Sequence, residues 1–188
     1  HVDLKTGWAT PLCYLTCPIG GRADNISIYG NVLSDKFYVF AAIKDTNKIV
    51  RWTVTGNSFI SEVCTLQSFY PTSATNLGTA PLVTPISENN IFVDGSSIYV
   101  GLYDFTTGKL MESFAEKSSI VPSKASATGV AYFTLAGVKY IAHAHNYYKI
   151  SNSPSNIQLV SIDDNMDFSC LSTCNMYLRK SVLNSSSK

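Results

Sequence analysis

Three times along this chain an apolar run of strand length is followed by a polar loop and a second strand-like run. The first runs are Lys36–Ile43 (KFYVFAAI), Ser97–Asp104 (SIYVGLYD) and Val138–His145 (VKYIAHAH). Their partners are Lys48–Thr55 (KIVRWTVT), Lys109–Glu116 (KLMESFAE) and Asn156–Asp163 (NIQLVSID). A further segment leads into each pair: Ala23–Val32, Thr84–Gly95 and Ala127–Gly137. The first and second copies are offset by 61 residues at both strands, the second and third by 41 and 47, because the last loop is longer. A repeat of roughly 40–60 residues with three or four strands per unit is the mark of a propeller blade.

The apolar runs fit that architecture. A strand with one wet face alternates polar and apolar residues, whereas Phe37–Ile43 is apolar throughout and asks for cover on both faces. A four-stranded unit cannot bury both faces alone, but stacked units can. β-Branched and aromatic residues dominate between Gly, Asn, Asp, Ser and Pro punctuation, and no 12-residue window carries a capped helical period. Leu110–Lys117 (LMESFAEK) has helix-forming residues but is short and follows a Thr-Gly turn, so it reads as a strand and a loop. The expected fold is therefore all-β: about three β-propeller-like antiparallel blades, an incomplete propeller, in a single domain over residues 1–188. The units fall near 21–67, 84–117 and 127–168. Propellers close with about four blades or more. The strand-like ends, PLCYLTC and MDFSCLSTCNMYL, are then expected to supply a further partial blade, or a further chain or segment completes the packing.

Composition narrows the partners. Charged residues are 14% of the 188, against about 25% in ordinary soluble domains, and Ser, Thr and Asn carry the polarity. The net charge is +1 and the densest basic cluster is Arg179-Lys180, too small for a nucleic-acid footprint. No apolar run approaches the ~18 residues of a membrane span. The opening HVDLKTGW has neither the basic nor the apolar region of a signal peptide, which reads as a processed or partial chain. Five cysteines fall as Cys13 and Cys17, Cys64, and Cys170 and Cys174. The two C-x3-C pairs could form a zinc site if the ends meet; the plainer readings are small buried hydrophobes, or one or two disulfides with a cysteine left over. No cofactor and no metal are expected.

Certain phrases carry a resemblance. YPTSATNLGTAPLVTPISENNIFVDG, LYDFTTGKLMESF and GVAYFTLAGVKYIAHA resemble the β-propeller-like domain-of-unknown-function family of secreted lipoproteins from gut Bacteroidetes. That family's Gly-x3-Phe-x3-Gly-x2-Tyr-Ile-Ala segment reads here as Gly129, Phe133, Gly137, Tyr140, Ile141 and Ala142, and its Trp-Thr-Val strand as Arg51-Trp52-Thr53-Val54. The resemblance spans Gly21 to Phe168, and the sequence departs from it at Ser169. It implies an exported, periplasmic or cell-surface protein linked to glycan use, and it transfers no functional residue.

The candidate sites are few. His143 and His145 stand two apart on one strand and so share a face, where they could chelate a metal with Tyr147 or Asp104, or simply be packed and hydrogen-bonded. Tyr147 and Tyr148, in the polar loop Asn146–Ser155, are the better recognition candidates. Trp52 shares an apolar strand face with Val50 and Val54 and is expected to pack against a neighbouring blade. Phe37, Val39, Tyr99 and Tyr140 are expected core. Asp24, Asp35, Asp45, Asp94, Asp104, Asp163 and Asp164 fall mostly at turns, and DDNMD (Asp163–Asp167) reads as a polar turn, not a Ca²⁺ loop. The expected function is a non-enzymatic binding or scaffold module that recognises carbohydrate or a partner protein through loops. The alternative is a glycan-active enzyme with an acidic pair in a propeller channel.

Overall fold

The computed structural model describes residues 5–8, 14–31, 34–56, 58–67, 77, 81–95, 99–113, 126–146 and 155–176. These form three four-stranded antiparallel sheets, and no α-helix occurs among them. The first sheet runs β1 (Ala23–Tyr29), β2 (Lys36–Ile43), β3 (Lys48–Thr55) and β4 (Ser58–Thr65). The second runs β5 (Leu82–Pro85), β6 (Asn90–Asp94), β7 (Gly101–Asp104) and β8 (Leu110–Ser113). The third runs β9 (Ser126–Leu135), β10 (Val138–Asn146), β11 (Ser155–Ile162) and β12 (Phe168–Met176). Each sheet is a plain meander in which every strand pairs with its chain neighbour. No helix among the described residues is long and apolar enough to cross a membrane.

Turn chemistry explains the meanders. Ala136 and Gly137 both take positive φ, 51° and 81°, the two-residue hairpin geometry that matches strand twist, and join β9 to β10. Asp104 Oδ1 accepts from the Thr107 amide at 2.7 Å and turns β7 into β8. Asp163 Oδ1 accepts from the amides of Asn165 and Asp167, both at 2.9 Å, so DDNMD is a polar turn.

The second sheet is sandwiched. On one side Ile91, Val93 and Tyr103 meet Tyr38, Phe40, Ala42 and Ile49 of the first sheet. On the other, Phe92 and Leu102 meet Ile141, Val160, Ile162 and Phe168 of the third. Consecutive residues of β6 thus serve opposite cores, which is why its sequence is apolar without alternation. β2 does the same: Phe40 packs towards the second sheet, edge-on to Phe105 at 5.7 Å, while Val39, Ala41 and Ile43 face the other way. Each such fully buried aliphatic or aromatic side chain contributes about 1.5–3 kcal/mol by leaving water.

Polar links stitch the first junction. Arg51, nearly buried on β3, binds the Glu62 carboxylate at 2.5 Å, the Glu88 carbonyl at 2.5 Å and Asn89 Oδ1 at 3.0 Å, and its guanidinium lies 4.3 Å over the Phe105 ring. Tyr38 donates its hydroxyl to the Glu88 carboxylate. Gly108, at φ 70°, has no room for a side chain, because a Cβ there would run into the Thr65 carbonyl oxygen.

Five expectations are corrected. The second unit is displaced by one strand: the counterpart of β2 is β6, not Ser97–Asp104, whose strand portion is the third in its sheet. The segment Thr84–Gly95 hides two strands separated by the tight turn at Ser87–Asn89, where Ile86 and Ser87 amides bond the Asn90 carbonyl. The C-terminal MDFSCLSTCNM does not begin a further unit; it is β12, the fourth strand of the third sheet, paired with β11. Among the described residues, Trp52 clusters with its own sheet and the Leu15–Cys17 segment instead of a neighbouring sheet: it belongs with Val39, Val50, Val54, Leu15 and Cys17, and its Nε1 donates to the Thr16 carbonyl at 3.0 Å. Asp94 is not a turn residue; it ends β6, 2% exposed, against His143.

Candidate functional site

The first strand of each sheet, β1, β5 and β9, lies at the sheet's edge, and the three edges converge. Between them opens a groove of about 390 Å³. β1 builds one wall by an inverted alternation. Asn25, Ser27 and Tyr29 are half-buried on the face that carries Phe40, while Ile26 and Ile28, on the opposite face, are 64% and 54% exposed, and all five line the groove. An ordinary core strand would do the reverse. β5 supplies Leu82 to Pro85, and Ser27 Oγ donates to the Val83 carbonyl at 2.7 Å, pinning β1 to β5. Pro85, which has no amide to donate, is tolerated because β5 is an edge strand. β9 supplies Gly129, Val130 and the half-buried Tyr132.

The lining carries hydroxyls, an amide, two phenol rings, strand-edge backbone and apolar side chains, and no ionisable acid or base other than the tyrosines. A charged ligand would meet no counter-charge there, and a carboxylate pair for acid–base chemistry is missing from the described wall. An uncharged ligand with hydroxyls and one apolar face finds both kinds of partner.

A second cluster lies between the second and third sheets. His143 of β10 is wholly buried and its Nε2 is hydrogen-bonded to Asp94 Oδ2 of β6, with the Phe92 ring edge-on at 5.5 Å. The pair is a polar contact inside an apolar junction. Asp104, the other residue considered as a metal partner, is spent on the β7–β8 turn. No group of three or more His, Cys, Asp or Glu that could hold a metal ion occurs among the described residues. His145 lies on β10 opposite Asn156 and Ala127, and its side chain falls outside the described ones. Tyr147 and Tyr148 lie outside the described residues.

Of the expected core, Trp52, Val39 and Tyr99 are buried, while Phe37 and Tyr140 are half-buried. Tyr140 stacks on Phe133 at 5.4 Å on the outer face of the third sheet. Cys17 and Cys64 are free thiols; burial, aided by the charge of Asp104, pushes the Cys64 thiol up to about 11, so it is unreactive at neutral pH.

Sequence reasoning passed over Ser27, Tyr29, Thr84 and Tyr132. A signal was present for β1: Asn25-Ile26-Ser27-Ile28-Tyr29 alternates cleanly just before the unbroken apolar run of β2. Which half of the alternation faces a neighbour is a tertiary property, and the alternation alone does not state it.

No family model matches the chain, and no curated protein matches it. Its function is therefore read from its own residues.

Proposed function

We propose that this chain is a non-enzymatic, exported binding module, built from consecutive propeller-like blades, whose groove between β1, β5 and β9 recognises an uncharged carbohydrate. The supporting observation is the groove itself: three first strands, half-buried Tyr29 and Tyr132, and hydrogen-bonding Asn25, Ser27 and Thr84 without a fixed charge. Its volume lies within the 300–1,000 Å³ range of small-molecule sites. Tyrosine faces cover the apolar face of a sugar ring while side-chain and edge-backbone groups meet its hydroxyls. In a propeller the first strands line the axis, so the proposed blade order places the site where such folds hold ligands. The low charge content and Ser/Thr/Asn-rich polarity favour the periplasm or cell surface as the location.

The alternative of a glycan-active enzyme draws no support from this groove, whose described lining has no carboxylate. The test is calorimetric titration with neutral and acidic mono- and disaccharides, using the native chain and Tyr132→Ala. Binding of a neutral sugar, weakened at least about 10-fold by Tyr132→Ala, is the expected result; 10-fold corresponds to about 1.4 kcal/mol. Absence of binding at millimolar sugar, preference for an acidic sugar, or indifference to Tyr132→Ala would refute it.

A further inference from the structure

We infer that Tyr38 and Glu88 are positioning residues of the groove between β1, β5 and β9: neither lines it, and together they fix the Tyr29 ring and hold β1 against β5. The inference rests on the sugar reading of that groove and adds two residues to it.

The contacts start inside the groove. Tyr29, the last residue of β1, lines it and packs, half-buried, against the core between the first and second sheets. The residue directly across on β2 is Tyr38, and the two rings lie 6.4 Å apart with their planes tilted by 37°. Tyr38 is 8% exposed and lies behind the groove wall. A buried phenol takes a hydrogen-bond partner, and here the partner is the Glu88 carboxylate. Two cations close on the same ring: Lys36 Nζ lies 5.1 Å from its centroid and the Arg51 guanidinium 5.5 Å. With its hydroxyl bonded and its ring held, Tyr38 gives Tyr29 a fixed surface to rest on.

Glu88 stands in the turn between β5 and β6, three residues after Pro85, where β5 leaves the groove. The Tyr38–Glu88 bond therefore also joins the sheets whose first strands form two of the groove's walls. It acts beside two further ties: Ser27 Oγ donates to the Val83 carbonyl at 2.7 Å, and Arg51 donates to the Glu88 carbonyl at 2.5 Å and to Asn89 Oδ1 at 3.0 Å. A recognition surface must be held within about 0.5 Å by neighbours whose own rotamers are locked. Tyr38 is that neighbour for Tyr29, and Glu88 is its lock. Breaking the bond removes no groove-lining residue, but it frees the Tyr29 ring and the spacing of β1 from β5. If the binding geometry is then populated a tenth to a third of the time, apparent affinity falls about 3- to 10-fold.

Calorimetric titration with neutral mono- and disaccharides of glucose, galactose and mannose tests this. Tyr38→Phe removes only the hydroxyl, and Glu88→Ala changes an exposed turn residue, so thermal melts should show both folded. Each is expected to weaken sugar binding about 3- to 10-fold, and the two combined no further than either alone, because both break one bond. Glu88→Gln keeps an acceptor for the phenol and restores most of the affinity. Trp52→Phe is the control. It breaks one hydrogen bond of a buried ring on the opposite face of the first sheet, so it lowers the melting temperature and leaves sugar affinity unchanged. Unchanged affinity in Tyr38→Phe or Glu88→Ala, additive losses in the double variant, no rescue by Glu88→Gln, or an equal loss in Trp52→Phe would each overturn this inference and leave the sugar reading intact. A native chain that binds none of these sugars refutes the sugar reading itself, and the inference falls with it.

Discussion

Replacing Asp94 by Ala should be among the most damaging single changes in the described fold. The carboxylate is 2% exposed and its partner His143 is wholly buried, and the bond between them joins β6 of the second sheet to β10 of the third. The Phe92 ring lies edge-on to His143 and belongs with Ile141, Val160 and Phe168 to the apolar core of that junction, so water cannot replace a lost partner without opening the core. Removing one member of a buried, hydrogen-bonded pair of this kind costs about 3–5 kcal/mol, where whole domains are stable by about 5–15. For a chain of this length that is a fall in Tm of roughly 6–20 °C. Urea unfolding of the native chain, Asp94→Ala, His143→Ala and the double variant gives the coupling directly. The double variant should cost clearly less than the sum of the singles, since the second truncation no longer breaks the bond between the two side chains. If Asp94→Ala costs under about 1 kcal/mol, or the two changes add within ~0.5 kcal/mol, the pair is not what secures the second junction.

Arg51→Lys should cost about 2–3 kcal/mol in urea unfolding although the charge is kept, because a lysine cannot serve Glu62, the Glu88 carbonyl and Asn89 together or lie flat on Phe105. Alkaline pH should unfold the chain early. Burial raises Cys64 from 9.0 to about 11 and pushes the Tyr103 phenol up from 10.0, so both favour their neutral forms in the folded chain. Their contribution is intact below pH 9 and is lost as pH climbs through the raised values, by up to about 1.4 kcal/mol per pH unit for each group. Urea midpoints measured from pH 8 to 11 should fall above pH 9, and Cys64→Ala should flatten the part between 9 and 11.

Much of the fold was legible because strand signals are local. The unbroken apolar run Phe37–Ile43 demands cover on both faces, and β2 has it; Asp104 and Asp163 turn the chain where short polar side chains can bond their own backbone. The second unit was misread because its strands are only four or five residues long, too short for alternation to separate Leu82–Pro85 from Asn90–Asp94. The site was not legible. His143 and Asp94 are 49 residues apart, and Ser27 reaches Val83 across 56. Neither separation has any periodic signature.

The sequence by itself determined the class, the meanders and the turns, since alternation, β-branching and turn residues act within a few positions of one another. The tertiary structure alone decided which face of each strand meets which sheet. That choice buried Asp94, which looked like a turn residue, covered Trp52 with the chain's own Leu15–Cys17 segment, and set Tyr29 and Tyr132 on opposite walls of one groove. The physical reason is that a strand's two faces are chemically defined by sequence, but the partner of each face is fixed only by how whole sheets stack.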